Sequence, residues 1–448
     1  VIGNPPYVKE DVNKGAFNGL KGTKYYQGKM DLWYVFGCKG IDLLRPDGVI
    51  SFIATNNWVT NDGASKFRDK VISEGRIVTF LDFRNYKIFT AGIQTMVFLI
   101  VKNNQLGEYN VDYGCLKDEN ADLETLEKFL RTQGFINNSE FEKFNMNFLR
   151  TDYVGKYITF IPEEINKVLV KMKKQSNFHL SNHEIFSGID VMQDFVNKKH
   201  LEKLDSSAEL GEGVFVISTE EKNKVKWNES ELELIKPYYT TKEISRYQAK
   251  KNNKLWVFYT SAKVNEEIKK LPNIKSHFDK FKKIITSVNK PYGLHRTRKE
   301  EIFLDEKLLC VRKCFRPSFS YVNFPSYVSR TYLVIKTDSV PLKYLLVILN
   351  SKLVAYWLFN KGKLQGNLYQ IDKNPLIDIP IVKNDTYQKP FIQLVDQILA
   401  ITKDDDYLNN PDKQAKVKRL EKEIDQQVYK LYELTPEEIK IVEGFNGK

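Results

Sequence analysis

Three short runs of apolar and β-branched residues, Val49 to Thr55, Ile77 to Phe83 and Gln94 to Val101, punctuate the first hundred residues of the chain. Between them, Asp31 to Leu44 and Gly63 to Ser73 repeat their apolar positions at helical spacing. Short uninterrupted apolar runs suit strands covered on both faces, and their alternation with helices predicts half of a doubly wound α/β sheet over residues 1–105. Arg45-Pro46-Asp47-Gly48 supplies the turn chemistry that separates the first helix from the next strand. Val1-Ile2-Gly3 has the composition of a strand end, and the chain does not open on Met. It is therefore read as the C-terminal part of a longer polypeptide.

Beyond this half-domain the pattern changes twice. Residues 106–185 are polar and read as a mostly helical connector. Residues 186–385 carry many short aromatic and β-branched runs (Val214 to Ser218, Leu255 to Thr260, Leu308 to Phe315, Tyr327 to Ile335), long basic loops and one apolar helix, which predicts a mixed α+β second domain. Residues 386–448 read as C-terminal helices, with stripes at Phe391, Leu394, Val395, Ile398 and Leu399 and at Val417, Leu420, Ile424, Val428 and Leu431. Thr435-Pro436-Glu437-Glu438 has the form of an N-cap, a first-turn proline and a capping-box glutamate.

With 448 residues, 42% of them hydrophobic and 28% charged, the chain has the composition of a soluble globular protein rather than a disordered or collagenous one. The longest apolar stretch, Tyr344 to Phe359, is broken by Asn350, Ser351 and Lys352, so no membrane span is expected. Four cysteines without ligand spacing favour neither a disulfide framework nor a zinc set, and a reducing, cytoplasmic location is the default. His179 and His183, four apart with Glu184 adjacent, could form a metal face, but with no further ligand nearby polar surface or a turn is the better reading and no metal is expected.

The formal charge of +12 is not spread evenly. Residues 241–320 hold twenty Lys and Arg against eight Asp and Glu, which accounts for the whole excess. A basic window rich in Tyr, Phe and Trp fits a polyanionic partner, and arginine pairs bidentately with phosphate and with guanine edges. A solvated lysine face is the bland alternative. The cluster Arg296, Arg298, Lys299, Arg312, Lys313 and Arg316, with Lys363 beyond it, favours nucleic acid.

Asn4-Pro5-Pro6-Tyr7 carries the chemistry. At the carboxyl end of a strand, where parallel sheets bind ligands, it offers a side-chain amide, a carbonyl stiffened by two prolines that fix φ and lack N–H groups, and an aromatic ring. A planar exocyclic amine fits this set. Its two N–H bonds would be accepted by the Asn4 side-chain oxygen and the Pro5 carbonyl, with the Tyr7 ring against the base. Withdrawing those protons frees the nitrogen lone pair from conjugation and makes it nucleophilic.

These residues resemble motif IV of the S-adenosylmethionine-dependent amino-methyltransferases. Lys29-Met30-Asp31-Leu32-Trp33-Tyr34-Val35-Phe36, then Leu44 to Ile53, then Asn57-Trp58, resemble motifs V to VII of the TaqI-type adenine-N6 DNA methyltransferases. Asp82-Phe83-Arg84-Asn85-Tyr86-Lys87-Ile88-Phe89 resembles motif VIII, whose aromatic stacks on a flipped base from the side opposite the motif IV tyrosine. Ile235 to Tyr239, Arg246-Tyr247, Arg316 to Phe319, Leu345 to Lys352, Pro375 to Pro380 and Glu421 to Leu434 are similar to the target recognition domain and tail of type IIG restriction-modification enzymes.

The resemblance implies a DNA adenine-N6 methyltransferase of a restriction-modification system. Its parts would be the C-terminal half of a Rossmann-like methyltransferase sheet over 1–105, a target recognition domain over 186–385, and base flipping of double-stranded DNA. It implies Asn4, Pro5, Pro6 and Tyr7 as catalytic residues, Phe89 as the base-stacking ring with Tyr86 in reserve, and Lys29, Asp31 and Leu32 along the cofactor pocket. The family's Gly-rich motif I is absent from the chain, so S-adenosylmethionine is expected to bind the chain alone weakly or not at all. Gly211-Glu212-Gly213 lies in the wrong domain to replace it, and Glu438-Ile439-Lys440 is better read as capped-helix surface than as a nuclease site. Two other classes remain: an RNA or protein-glutamine amino-methyltransferase, and a non-catalytic DNA-binding specificity module.

Overall fold

Strand β1 (Ile2–Gly3) pairs in parallel with β2 (Val49–Thr55), placing Ile2 against Ser51 and Gly3 against Phe52. Helix α1 (Leu32–Leu43) connects them and buries Trp33, Tyr34, Gly37, Cys38 and Ile41, the stripe expected from its 3.6-residue period. A Cβ on Gly37 would come within 2.5 Å of the Phe67 ring of α2 (Ser65–Glu74), so the glycine sets how closely the two helices pack. The turn after α1 closes by a hydrogen bond from Gly48 N to Arg45 O at 2.9 Å. Strands β3 (Gly75–Asp82) and β4 (Thr95–Lys102) follow, with β4 lying antiparallel between β2 and β3. The core between sheet and helices is aromatic: Trp33, Trp58 and Phe98 surround Phe67, with ring centroids 4.9 to 6.3 Å from it.

The computed structural model describes residues 1–90, 92–103, 107–365 and 368–445, and it divides into two units, 1–168 and 169–448. The strands expected from the apolar runs are present, although alternate residues of β2 are only half-buried. The helical reading of 106–185 is corrected over its first part. Strands β5 (Glu108–Leu116), β6 (Ile136–Asn137) and β7 (Phe141–Leu149), with helix α3 (Leu123–Arg131) between β5 and β6, extend the same sheet to the order β1-β2-β4-β3-β5-β7-β6. β1, β2, β3 and β5 share one direction, so their carboxyl ends line one edge.

The second unit is mixed α and β, as its aromatic runs predict. One four-stranded sheet is built around Ile235–Tyr239 and Leu255–Phe258, and another around Lys307–Val311, Phe319–Val322 and Tyr332–Ile335. A small three-stranded sheet joins Lys313–Cys314, Leu368–Gln370 and Lys363–Gln365. The apolar stretch near residue 350 forms two buried helices, Leu342–Asn350 and Lys352–Lys361, bent by 65° where Ser351 Oγ caps the second. Among the described residues no single helix is long and apolar enough to cross a membrane. The tail forms helices Asp385–Thr402, Pro411–Leu431 and Pro436–Gly444, the last opened by the Thr435/Glu438 capping box.

A mostly buried charged group joins several parts of this unit. The Arg246 guanidinium donates to Asn350 Oδ1 at 2.7 Å, to Pro317 O at 2.9 Å and to Glu421 Oε1 at 2.6 Å, joining a turn, a helix end and the Pro411–Leu431 helix. Burial alone would raise the Glu421 carboxyl, but Arg246 and Arg316 outweigh it and hold it below the usual range.

A second buried charge gives a pH dependence. Lys307 is fully buried, with its ammonium donating to Asp305 O at 2.9 Å and Phe324 O at 2.8 Å. Burial, aided by Lys336, depresses its pKa to about 7. An unfolded lysine keeps its proton to about pH 10. Between these values the unfolded chain binds more protons than the folded one, so stability rises with pH from about 7 toward 10. In denaturant titrations at pH 7 and pH 9 we expect the wild-type midpoint to rise and Lys307→Met to flatten that rise. A variant with the wild-type pH slope would count against this assignment.

Candidate active site and nucleic-acid interface

The segment after β1 doubles back on itself. Val8 to Glu10 runs antiparallel to Met30 to Leu32, with Glu10 N donating to Met30 O at 3.0 Å and Leu32 N to Val8 O at 2.9 Å. This pairing brings Asn4 to Tyr7 beside the start of α1. Pro5 is buried, Tyr7 half-buried and Asn4 exposed. Lys29 takes a left-handed conformation (φ 52°), and its carbonyl would be 2.0 Å from a Cβ on Gly63, so a glycine is required opposite it. The Lys29 amide is fixed by Glu10 Oε2 at 2.6 Å. Leu32 is half-buried.

Tyr7 organises the edge. Its hydroxyl lies 2.5 Å from Asn4 Oδ1 and 2.8 Å from the Ile53 carbonyl at the end of β2. The acceptor oxygen that the sequence leaves free is thus occupied by the neighbouring tyrosine, and an incoming amine has to displace that contact. Burial, with the Asp31 charge as a smaller cause, pushes the Tyr7 pKa up to about 12, so the hydroxyl remains a donor through neutral pH.

Asp31 stands buried at the N-cap position of α1, but its side chain makes no capping hydrogen bond. Burial raises its pKa, and among the described residues its Oδ1 has no hydrogen-bond partner. An orphaned buried carboxylate oxygen is costly unless a donor or a cation meets it.

Phe89 comes to the same edge from the β3–β4 connection. Its ring centroid lies 6.3 Å from that of Tyr7 at an interplanar angle of 51°. Tyr86 instead packs on the cluster of Leu81 and Phe83. The connection is anchored by Asn56, which motif reading did not single out, together with Asp82 and Arg84 of the motif VIII segment. Asn56, just past β2, donates to Asp82 Oδ1 at 2.9 Å, and the Arg84 amide donates to the same oxygen at 2.9 Å. The signal of Asn56 in the sequence was positional, as the polar residue just past a buried strand.

The basic residues fall into two groups. Arg312 is ion-paired with Asp372, and Arg316 lies 3.3 Å from Glu421, so two arginines singled out for phosphate are engaged with carboxylates inside their own unit. Arg298 (φ 70°) donates from Nε to Gly188 O at 3.2 Å, and Lys299 reaches Glu301 at 3.5 Å while 80% exposed. Arg296, which bridges Asp190 through its backbone, and Lys313 are exposed, and Lys363 is half-exposed. His179 faces Ile377 O at 3.2 Å and Ser176 Oγ at 3.4 Å.

Comparison with known proteins adds an independent line. Residues 1–89 match the Eco57I restriction-modification methylase family, and residues 236–381 match the TaqI-like C-terminal specificity domain. The type II methyltransferase M.HindII of Haemophilus influenzae is 24% identical over an alignment covering 92% of this chain and 79% of that protein. M.HincII of Haemophilus influenzae is 23% identical, with 92% and 78% covered. Among solved structures, the type IIL restriction-modification enzyme MmeI in complex with DNA shares the fold, with a TM-score of 0.59 at 13% identity over 98% of this chain. The chain spans about half of that protein, 55% of its length.

Proposed function

We propose that this chain, which carries an Eco57I restriction-modification methylase segment followed by a TaqI-like specificity domain, methylates the N6 amine of adenine in duplex DNA within a restriction-modification system. The observation that carries this reading is the meeting of Asn4 and Tyr7, from the end of β1, with Phe89, from the β3–β4 connection, at one sheet edge. A planar base between two rings needs about 3.5 Å on each face, about 7 Å in all. With centroids 6.3 Å apart and planes tilted by 51°, seating a base takes a rotation of one ring toward parallel together with a small outward movement.

The N6 amine of a paired adenine is engaged in the duplex, so the base has to leave the stack. Once it is seated, Asn4 Oδ1 and the Pro5 carbonyl accept its two N–H bonds, while the Tyr7 hydroxyl releases Asn4 and keeps Ile53 O. Drawing on both protons raises the nucleophilicity of the nitrogen with no covalent intermediate. S-adenosylmethionine, when bound, would supply the methyl group, and the one N6 proton lost in exchange would pass from its Asn4 or Pro5 acceptor contact to water. Lys29, Asp31 and Leu32 would lie along it, and the unpartnered Asp31 Oδ1 suits a cationic donor. Residues 1–105 of the catalytic sheet would carry the chemistry and 186–385 the sequence choice. Arg296, Arg298, Lys299, Lys313 and Lys363 would meet DNA, and Arg312 and Arg316 would support them through their carboxylate partners.

The test is acceptor class. Full-length protein incubated with methyl-labelled S-adenosylmethionine and an equimolar mixture of duplex DNA, structured RNA and glutamine-containing protein should label the duplex alone. Label in RNA or protein would replace the DNA reading. Sequence-selective duplex binding without any transfer would leave only a specificity module.

A further inference from the structure

The small sheet of the second unit sets three polar side chains in one row. Lys313 pairs with Gln370, and Gln370 pairs on its other side with Lys363. Directly opposed residues project from the same face. The next row, Cys314, Tyr369 and Leu364, projects from the other face, where Tyr369 is only 2% exposed and packs 6.3 Å from Phe359. The Lys313–Gln370–Lys363 row therefore faces away from that core. Adjacent strands lie about 4.8 Å apart, so the two lysine backbones stand about 10 Å apart with a single amide midway.

The amide is held in one orientation. Gln370 Nε2 donates to Asp372 Oδ2 at 2.9 Å, and Asp372 Oδ1 is taken by the Arg312 guanidinium. Since a carboxylate only accepts, the NH₂ group of Gln370 has to point toward Asp372. This leaves Gln370 Oε1 and the second N–H for a ligand. An acceptor beside a donor on one planar group matches the N6 and N7 edge of adenine in the major groove, which is about 12 Å wide. Lysines about 10 Å apart reach the two phosphate walls of such a groove while the glutamine reaches its floor.

The geometry points to Gln370 as a residue that reads one adenine of the recognised duplex, with Lys313 and Lys363 as its phosphate clamp and Arg312 and Asp372 as positioning residues. This inference rests on the DNA methyltransferase reading and assigns part of its sequence choice. It also changes the role of Arg312, whose removal should release the Gln370 amide rather than delete a phosphate contact.

The experiment uses full-length protein and a library of short duplexes with a randomised centre, with bound sequences counted after selection. Gln370→Ala should relax one A·T position by roughly ten- to a hundred-fold and keep the preference elsewhere. Arg312→Ala and Asp372→Asn should relax that same position, a result that a purely structural role would not produce. Lys313→Ala combined with Lys363→Ala should weaken all sequences alike and reduce the slope of log affinity against log salt by roughly two units. Matching thermal transitions among the variants would separate these effects from misfolding. Selection of the wild-type site by Gln370→Ala, or equal loss at every position, overturns the assignment alone. A wild-type protein that enriches no duplex sequence overturns the DNA methyltransferase reading and this assignment with it.

Discussion

Asn4→Ala is expected to slow methyl transfer by at least ~10²-fold, the cost typical of losing one preorganised transition-state contact, while duplex affinity stays close to wild type. The asymmetry follows from where Asn4 sits. It lies past the end of β1, on a turn fixed by two prolines, and its side-chain oxygen is already within a hydrogen bond of Tyr7. Alanine keeps that backbone but leaves an amine with one acceptor instead of two, so the nitrogen lone pair stays in conjugation. On the proposed reading duplex binding draws on the basic second unit, so it should hardly change. Asn4→Asp keeps an acceptor oxygen and should fall between wild type and alanine. Single-turnover rates with saturating DNA and cofactor check this, and a rate within a few-fold of wild type for Asn4→Ala would remove Asn4 from the amine site.

The largest expected loss of stability is at Arg246. Its guanidinium bonds to Pro317, Asn350 and Glu421, and both side chains of the Arg246–Glu421 pair are mostly buried, with 16% and 13% exposure. Removing one member of a buried pair leaves the other charged and desolvated, which costs about 3–5 kcal/mol. Because Arg316 stays 3.3 Å from Glu421, Arg246→Ala should cost the lower end of that range, about 3 kcal/mol, in the unfolding transition of the second unit, measured by denaturant titration. Burial also lifts the Asp425 carboxyl to about 6, so an unbalanced Glu421 would add to a site already short of cations. Replacing Arg246 and Glu421 together with Met and Leu should cost less than Arg246→Ala, since no desolvated charge is then left behind and Arg316, which loses its carboxylate, is 51% exposed and stays solvated. Equal or greater loss in the double variant would show that the arginine acts through its bonds to Pro317 and Asn350 instead.

The elements legible in the sequence were those whose signal is local. β2, β3 and β4 stand out as unbroken apolar runs, and the turn after Asn4 as two consecutive prolines. β5 and β7 were missed because their signal is alternation rather than apolarity. In β7, Phe144, Met146 and Phe148 are buried while Asn145 and Asn147 are exposed, and in β5 Tyr109, Val111, Tyr113 and Cys115 alternate with polar residues or glycine. That period of two was present but diluted by charge and amide side chains, which lower β propensity.

At the site, Tyr7 and Phe89 could be named from their motifs, but the occupancy of Asn4 Oδ1 by the Tyr7 hydroxyl depends on how the turn folds back beside β2. The arginines show a harder limit. Arg312 meets a carboxylate 60 residues away and Arg316 one 105 residues away, and nothing in local composition separates such pairs from cations left for phosphate. Charge counting locates a basic region. Only the fold tells which of its members are already neutralised.

The proposed role of the Asn4, Tyr7 and Phe89 edge is to activate an adenine amine. The most direct measurement is nucleoside analysis of duplex DNA methylated by the full-length protein with labelled S-adenosylmethionine, digested and resolved by liquid chromatography and mass spectrometry. The label is predicted to run with N6-methyldeoxyadenosine and to disappear with Asn4→Ala. Label on a cytosine, or N6-methyldeoxyadenosine formed undiminished by Asn4→Ala, would contradict it.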